Sequence, residues 1–432
     1  MQPVALLLLQ SALQALSSLR KRIGAGSLSA AFLHADVGTP TGSQSDRSKP
    51  TVVGLHGYRP HNLQEGGCDQ SFPTFQITTA AGLPHTRRKE FLAKQAISRY
   101  SLTSPNKSIE IMPRLPLISI ALCTFNGEPY LREQLDSLLR QDYPRLKIIA
   151  IDDASTDATP DILGEYSARD PRLQIHRNPS NLGFRHNFER ALSLCSGDLI
   201  APCDQDDIWL PSKLSRLQDT LGTAMMSYCD SDLIDQHGHA LGQRISDKFK
   251  VASLGDPVAF VFNNCVPGHA MLFRRELLAG ALPLPSNLFH DWWLAYVAAS
   301  KGGIKYCPEP LVSYRQHATS VTDLSGRRTA SEVGKPRGYK LEALHDIHQR
   351  IESFAGFEQG REVEFLHMLE ALWREQEHKL ICLKLTRFLL QHRHRLFALQ
   401  TDQRFRHSRR ALKYFWGVPV KRLIQPYDYG HG

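Results

Sequence analysis

Leu117-Ile118-Ser119-Ile120-Ala121-Leu122-Cys123-Thr124-Phe125-Asn126-Gly127-Glu128 decides the fold: a short apolar run that stops abruptly in polar turn residues. Seven nearly unbroken apolar positions fit a strand buried on both faces, which occurs mainly in parallel sheets covered by helices. Working outward, Leu131, Leu135, Leu138 and Leu139 recur at helical spacing. Lys147 to Ile151 predicts a second strand, and Thr159-Pro160 offers an N-cap with proline at the first helical position. Leu173 to His176 reads as a third strand, Phe184 to Cys195 as a helix and Asp198 to Cys203 as a fourth strand. Strands alternating with helices in this way predict an α/β fold with a mostly parallel sheet.

Polar clusters follow all four strands, where open α/β sheets bind ligands. They begin at Thr124, at Asp152, at Asn178 and at Asp204. The last, Asp204-Gln205-Asp206-Asp207, packs three carboxylates into four positions. Their repulsion is relieved by a hard divalent cation such as Mg²⁺ or Mn²⁺, whose usual partners are oxygen ligands and phosphates. A plainer account makes Asp206 or Asp207 the cap of a helix starting near Pro211. Asp152 likewise suits either a nucleotide contact or a turn, since Asp-Ala-Ser-Thr-Asp is good turn sequence.

Together these stretches resemble the family 2 glycosyltransferases of the GT-A fold. The likeness runs through Leu117–Glu128, Ile149–Asp157 and Asn181–Phe184. It continues through Asp204-Gln-Asp-Asp-Ile-Trp-Leu-Pro-Ser-Lys-Leu214, Gly268–Phe273, His290-Asp291-Trp292-Trp293 and Tyr314-Arg315-Gln316-His317. The resemblance implies a GT-A, Rossmann-like nucleotide-sugar sheet and an inverting, metal-dependent sugar transfer from a nucleotide-diphosphate donor to a glycan or lipid-linked acceptor. It puts Thr124 under the nucleobase, Asp152 on the pyrimidine, and Asn126 and Glu128 among the donor contacts. Asp204 and Asp206 become the Asp-x-Asp pair on ribose and metal, and Arg315 and His317 close over the diphosphate. Asp291 becomes the general base, with Gly268, His269, Trp292 and Trp293 near sugar or acceptor. Without the likeness, Asp291 reads equally well as a helix cap, and the paired tryptophans as core. The His-Asp-Trp-Trp and Tyr-Arg-Gln-His motifs further resemble the surface-polysaccharide enzymes of the rhamnosyltransferase branch. Ala318-Thr319-Ser320 departs from that pattern, where relatives often carry Gly and Asn.

The 432 residues, 42% hydrophobic and 22% charged, suffice for a large core. Residues 1–114 are aperiodic and rich in Ser, Gly, Pro, Gln and His, which predicts a disordered or weakly structured leader. Met112 is an alternative natural start. The catalytic domain is expected over 115–322, followed by a basic helical extension over 323–432. Eight cysteines without C-x-x-C spacing and no stretch of about 20 apolar residues favour a cytoplasmic location over a secreted one. The net charge of +9 and the basic, aromatic-bearing segment His392 to Arg422 suit an anionic membrane at the inner face of the plasma membrane. The rival for that segment is single-stranded nucleic acid, although no nucleic-acid motif accompanies it and no such partner is expected. A catalytically inactive homologue acting as a scaffold is the other alternative; the presence of Asp152, Asp204, Asp206 and Asp291 argues against it.

Overall fold

The computed structural model describes residues 114–317, 339–357, 362–400 and 404–424. The leader, Met112 and Ala318-Thr319-Ser320 lie outside the described residues. Four parallel strands form as the sequence predicts: β1 (Ile118–Thr124), β2 (Leu146–Asp152), β3 (Leu173–Arg177) and β4 (Leu199–Cys203). Pleating sends alternate β1 residues to opposite faces. Ile118, Ile120 and Leu122 pack with α1 (Leu131–Leu139), α2 (Thr159–Arg169) and α4 (Lys213–Leu221). Ala121 and Cys123 enter the opposite core with α3 (Phe184–Leu194) and α5 (His290–Lys301).

The second half of the sheet is mixed. Its remaining strands are β5 (Ile208–Trp209), β6 (Met226–Ile234), β7 (Ala240–Arg244), β8 (Met271–Arg274) and β9 (Ile304–Arg315). The order is β3-β2-β1-β4-β8-β6-β9-β5, with β7 on β6. β8 runs antiparallel to β4 and β6, whereas β9 runs parallel to β6 through two register shifts at Cys229–Ser231. This long strand carries Arg315 and His317 back to the end of β4.

Downstream come α6 (Tyr339–Ala355), α7 (Val363–Glu375), α8 (Leu383–Gln391), α9 (Arg404–Leu412) and α10 (Val418–Ile424). The apolar periodicity predicts one helix over Leu380–Leu399. Instead the chain at Leu380–Cys382 pairs with Phe415–Gly417, and the helix breaks at His392. The extension shares a core with the sheet: Tyr296 of α5 stacks on Phe354 of α6 at 3.8 Å. Two aromatics of its basic segment are structural too. Phe397 is buried, and Tyr414 packs 5.0 Å from Trp373 and 5.7 Å from Phe262. These two rings are not a platform for stacked bases, whereas Phe415 and Trp416, edge to face at 5.1 Å, are half-buried. The seven described cysteines are buried free thiols, and no helix among the described residues is long and apolar enough to cross a membrane.

Candidate active site

The site is assembled at the carboxyl ends of β1, β2 and β4. Thr124 and Asp152 end adjacent strands in register. Both are buried, with the threonine hydroxyl 3.4 Å from Asp152 Oδ1. The Asp152 carboxylate also accepts the Ser155 hydroxyl and backbone N–H, and lies 3.3 Å from the half-exposed Arg177 guanidinium. Neighbouring Asp153 has a different task. It accepts Asn178 at 2.6 Å and the N–H groups of Leu182 and Gly183 at 2.9 Å, fixing the loop that leads into α3.

Asn126 and Glu128 do not point their side chains into an open cleft. Asn126, held at φ 48°, accepts Thr156 N–H at 2.9 Å, and Glu128 accepts Ala158 N–H at 3.1 Å at the start of α2. Both tie the β1 loop to the β2 loop. Gln205 adds a third tie, donating to Phe125 O at 3.0 Å and accepting Phe125 N–H at 2.8 Å.

The three carboxylates after β4 separate into an outer and an inner group. They are not helix caps, because α4 begins at Lys213 behind Ser212. Asp206 is partly exposed and meets His317 Nε2 at 2.8 Å. Asp207 is fully buried, and its Oδ1 accepts Arg315 N–H at 3.0 Å. Its Oδ2 has no hydrogen-bond partner and lies 4.0 Å from His269 Nδ1. Asp204 sits between the two groups; ligand atoms of Asp204, Asp207 and His269 lie within 4.8 Å of one another. Burial, reinforced by the charges of Asp206 and Asp291, pushes the Asp204 carboxyl up to about 7. Burial likewise lifts Asp207 well above the carboxylate range.

Beneath this cluster lies Lys213, completely buried, its Nζ 2.6 Å from the His269 carbonyl oxygen. Burial lowers its ammonium to about 7, while the charges of Asp207 and Asp204 pull the other way. His269 stacks on Tyr314 at 4.1 Å and meets the Ser231 hydroxyl at 3.0 Å. Burial, then the Lys213 charge, drops its pKa to about 3, so it is neutral at physiological pH. The inner carboxylates therefore already face a cation. Asp204, which also neighbours Asp207 and His269, and the partly exposed Asp206–His317 pair carry donors that suit Mg²⁺ or Mn²⁺.

Asp291 opens α5, and its charge bears on Asp204. Oδ1 accepts Trp292 N–H at 2.6 Å and Oδ2 accepts Asn264 Nδ2 at 3.3 Å. Burial raises this carboxyl to about 6 against the lowering effect of backbone N–H groups. Gly268 lets α5 approach: a Cβ there would sit 2.8 Å from His290 Nε2 and 3.5 Å from the Asp291 Cβ. His290 is stacked on Phe188 at 3.9 Å, and burial lowers it to about 4.

Two expectations meet a different geometry. Trp293 is buried among Tyr296, Phe354 and Phe357, with its indole N–H 2.8 Å from Ala281 O; it is core. Trp292 is half-buried, donates to Phe260 O at 2.7 Å and carries Arg350 3.6 Å above its ring. Arg315 is also deeply embedded. Its guanidinium binds Asp206 O at 2.7 Å, Gln236 O at 3.2 Å and the Glu133 carboxylate, and lies 4.8 Å above Tyr130. It clamps the acidic loop to α1 and the β6–β7 turn. Arg315→Ala leaves the carbonyl acceptors of Asp206 and Gln236 unpaired and should cost about 1–3 kcal/mol, read as a lower denaturation midpoint at unchanged m-value. Lys213 and Asn264 were not singled out from sequence, in which Asp207 is only one of three crowded carboxylates or a helix cap. The fourth residue of Asp-Gln-Asp-Asp was the one available signal.

The description "Glycosyl transferase family 2" matches residues 119–280. A glycosyltransferase of Haemophilus influenzae is 30% identical over 239 residues, covering 51% of this chain and 73% of its own length. The chain belongs to glycosyl transferase family 2. A Mycobacterium tuberculosis protein is 32% identical over 254 residues, covering 55% of this chain and 72% of that protein. Among solved structures, a mannosyltransferase from Pyrobaculum calidifontis in complex with GDP-Man and Mn2+ gives a TM-score of 0.42 at 18% identity. That comparison covers 77% of this chain and 85% of the other.

Proposed function

We propose that this nucleotide-sugar transferase is an inverting, divalent-metal-dependent enzyme that glycosylates a hydroxyl of a glycan or lipid-linked acceptor. The observation that carries the reading is Asp291, raised to about 6, with its charge reaching Asp204, itself beside Asp206, at the carboxyl end of β4. Asp291 takes the acceptor hydroxyl proton as that oxygen bonds to the anomeric carbon. The bond from that carbon to the diphosphate oxygen breaks on the opposite face, and the nucleoside diphosphate leaves with the electron pair. Thr124 and Asp152 hold the nucleoside end. Asp204, Asp206 and His317 would hold a divalent cation, which would supply neutralisation of the charge developing on the leaving diphosphate. Arg315 acts by holding the acidic loop in place, and Gly268 and His290 set how closely α5 approaches it.

The motif pair His290–Trp293 and Tyr314–His317 supports surface-polysaccharide assembly, with rhamnosyl transfer as the particular reaction and the cytoplasmic face of the plasma membrane as its place. A panel of nucleotide sugars tests this, with Mn²⁺ or Mg²⁺ and release of nucleoside diphosphate as readout. A deoxythymidine-diphosphate rhamnose donor should turn over fastest. Release from another donor alone would move the assignment to that sugar, and release from none would favour an inactive scaffold.

A further inference from the structure

The turn between α7 and α8 carries apolar side chains on its outside. Leu380, Ile381 and Leu383 are 59%, 46% and 63% exposed, while Cys382 and Leu385 between and beyond them are buried. The exposure is built in by the backbone. Gly417 N–H donates to Leu380 O at 2.9 Å and Cys382 N–H to Phe415 O at 2.8 Å, so the turn is pinned to the segment before α10. The approach is so close that a Cβ on Gly417 would fall 1.6 Å from the Lys379 carbonyl oxygen. A groove beside the turn is lined by Leu372, Ile381 and Leu383 and rimmed by Lys384 and by Lys379, which pairs with Glu375 at 2.5 Å. Met368, one helical turn before Leu372, is 55% exposed and extends the apolar surface.

We propose that this turn is a wedge that enters the headgroup–acyl boundary of an anionic bilayer, with Lys379 and Lys384 on lipid phosphates. Charge complementarity names the occupant: from Glu375 to Arg422 there are twelve Lys and Arg residues against three acids, Glu375, Glu377 and Asp402. Such a surface is drawn to a negative leaflet, and short aliphatic side chains then bury in it. A second copy of the chain would bring like charge against like. Nucleic acid would need a row of exposed rings for stacking, whereas the exposed large side chains of this turn are the aliphatic Leu380, Ile381 and Leu383. The wedge deepens the reading of a membrane-borne acceptor, but its test does not depend on that reading.

The test is co-sedimentation of the full chain with phosphatidylcholine vesicles, with and without phosphatidylglycerol. Wild type should bind the anionic vesicles, more weakly as salt rises. The double change Leu380→Asp and Leu383→Asp should lower that binding about tenfold or more. The side chains are exposed, so an unchanged circular-dichroism melt and unchanged nucleoside-diphosphate release should accompany the loss. Lys379→Glu with Lys384→Glu should lower it with a shallower salt dependence. Equal binding to neutral and anionic vesicles overturns the electrostatic part, and undiminished binding by the leucine variant overturns the wedge. Salt-sensitive binding to single-stranded RNA without vesicle binding, or a dimer dissolved by the leucine changes, assigns the surface to another partner and overturns the proposal.

Discussion

Asp291→Asn should lower kcat by about 10²- to 10⁴-fold, the usual worth of general-base assistance, with little change in donor affinity. The amide keeps the size of the side chain and can still accept Trp292 N–H, which Asp291 holds at 2.6 Å. It cannot take a proton from the acceptor. Because the lost interaction belongs to the transition state, kcat and kcat/KM for the acceptor should fall together. Titration gives an independent check. Burial raises the Asp291 carboxyl to about 6, so the basic form accumulates as pH rises through that value. The rate should climb from acid to a plateau above it, and this limb should vanish in the Asn variant. Asp204, raised to about 7, could produce a second limb. Bound cation favours its ionised form, so that limb should shrink at saturating metal while the Asp291 limb stays. Wild-type turnover by the Asn variant would place the base elsewhere and leave Asp291 as the first-turn acid of α5. Asp152→Asn is the contrasting case: it should weaken donor binding, since a charged acceptor facing the nucleobase is lost.

The first half of the sheet was legible because β1, β2 and β4 are largely apolar on both faces, and all four strands end in polar turn residues. β1 through β4 therefore fall within one or two residues of the run that predicts them. The second half was not. β8 spans only Met271–Arg274, and β9 mixes Lys305, Pro308, Glu309 and Pro310 into its length. Neither has a period, and their directions are set by packing against β6. Among the site residues, the acidic positions could be read because like charges crowded at a strand end need a compensating partner. The role of Lys213 could not be: lysine is normally a surface residue, and only the fold buries it under His269 and the inner carboxylates. Arg315 was legible as a member of the site, but the many acceptors that engage it come from α1, the acidic loop and the β6–β7 turn. Trp293 shows the opposite limit. Adjacent tryptophans at a helix start look alike in sequence, and α5 turns one wholly into the core while Arg350 covers the other.

Asp206→Ala should abolish turnover while leaving the fold intact, and the two halves of that expectation separate the outer carboxylate from the inner one. The Asp206 side chain is partly exposed and reaches His317 Nε2, so its removal strips the cation of a ligand without opening the core. Asp207→Ala instead deletes the buried acceptor of Arg315 N–H, so loss of activity there should come with loss of stability. Melting temperature distinguishes them. For the wild type, Mn²⁺ with nucleoside diphosphate at a hundred times its Kd should add about 2.7 kcal/mol of stability, seen as an upward shift of several degrees. Asp206→Ala should melt close to wild type without ligands and lose most of that shift. Asp207→Ala should begin from a lower melting temperature. EDTA in excess should reduce wild-type nucleotide binding towards that of Asp206→Ala, and added Mn²⁺ should restore the wild type only. If wild-type turnover persisted undiminished in excess EDTA, Asp204, Asp206 and His317 would not hold a catalytic ion. The compensation of the acidic loop would then rest on protonation and on Lys213.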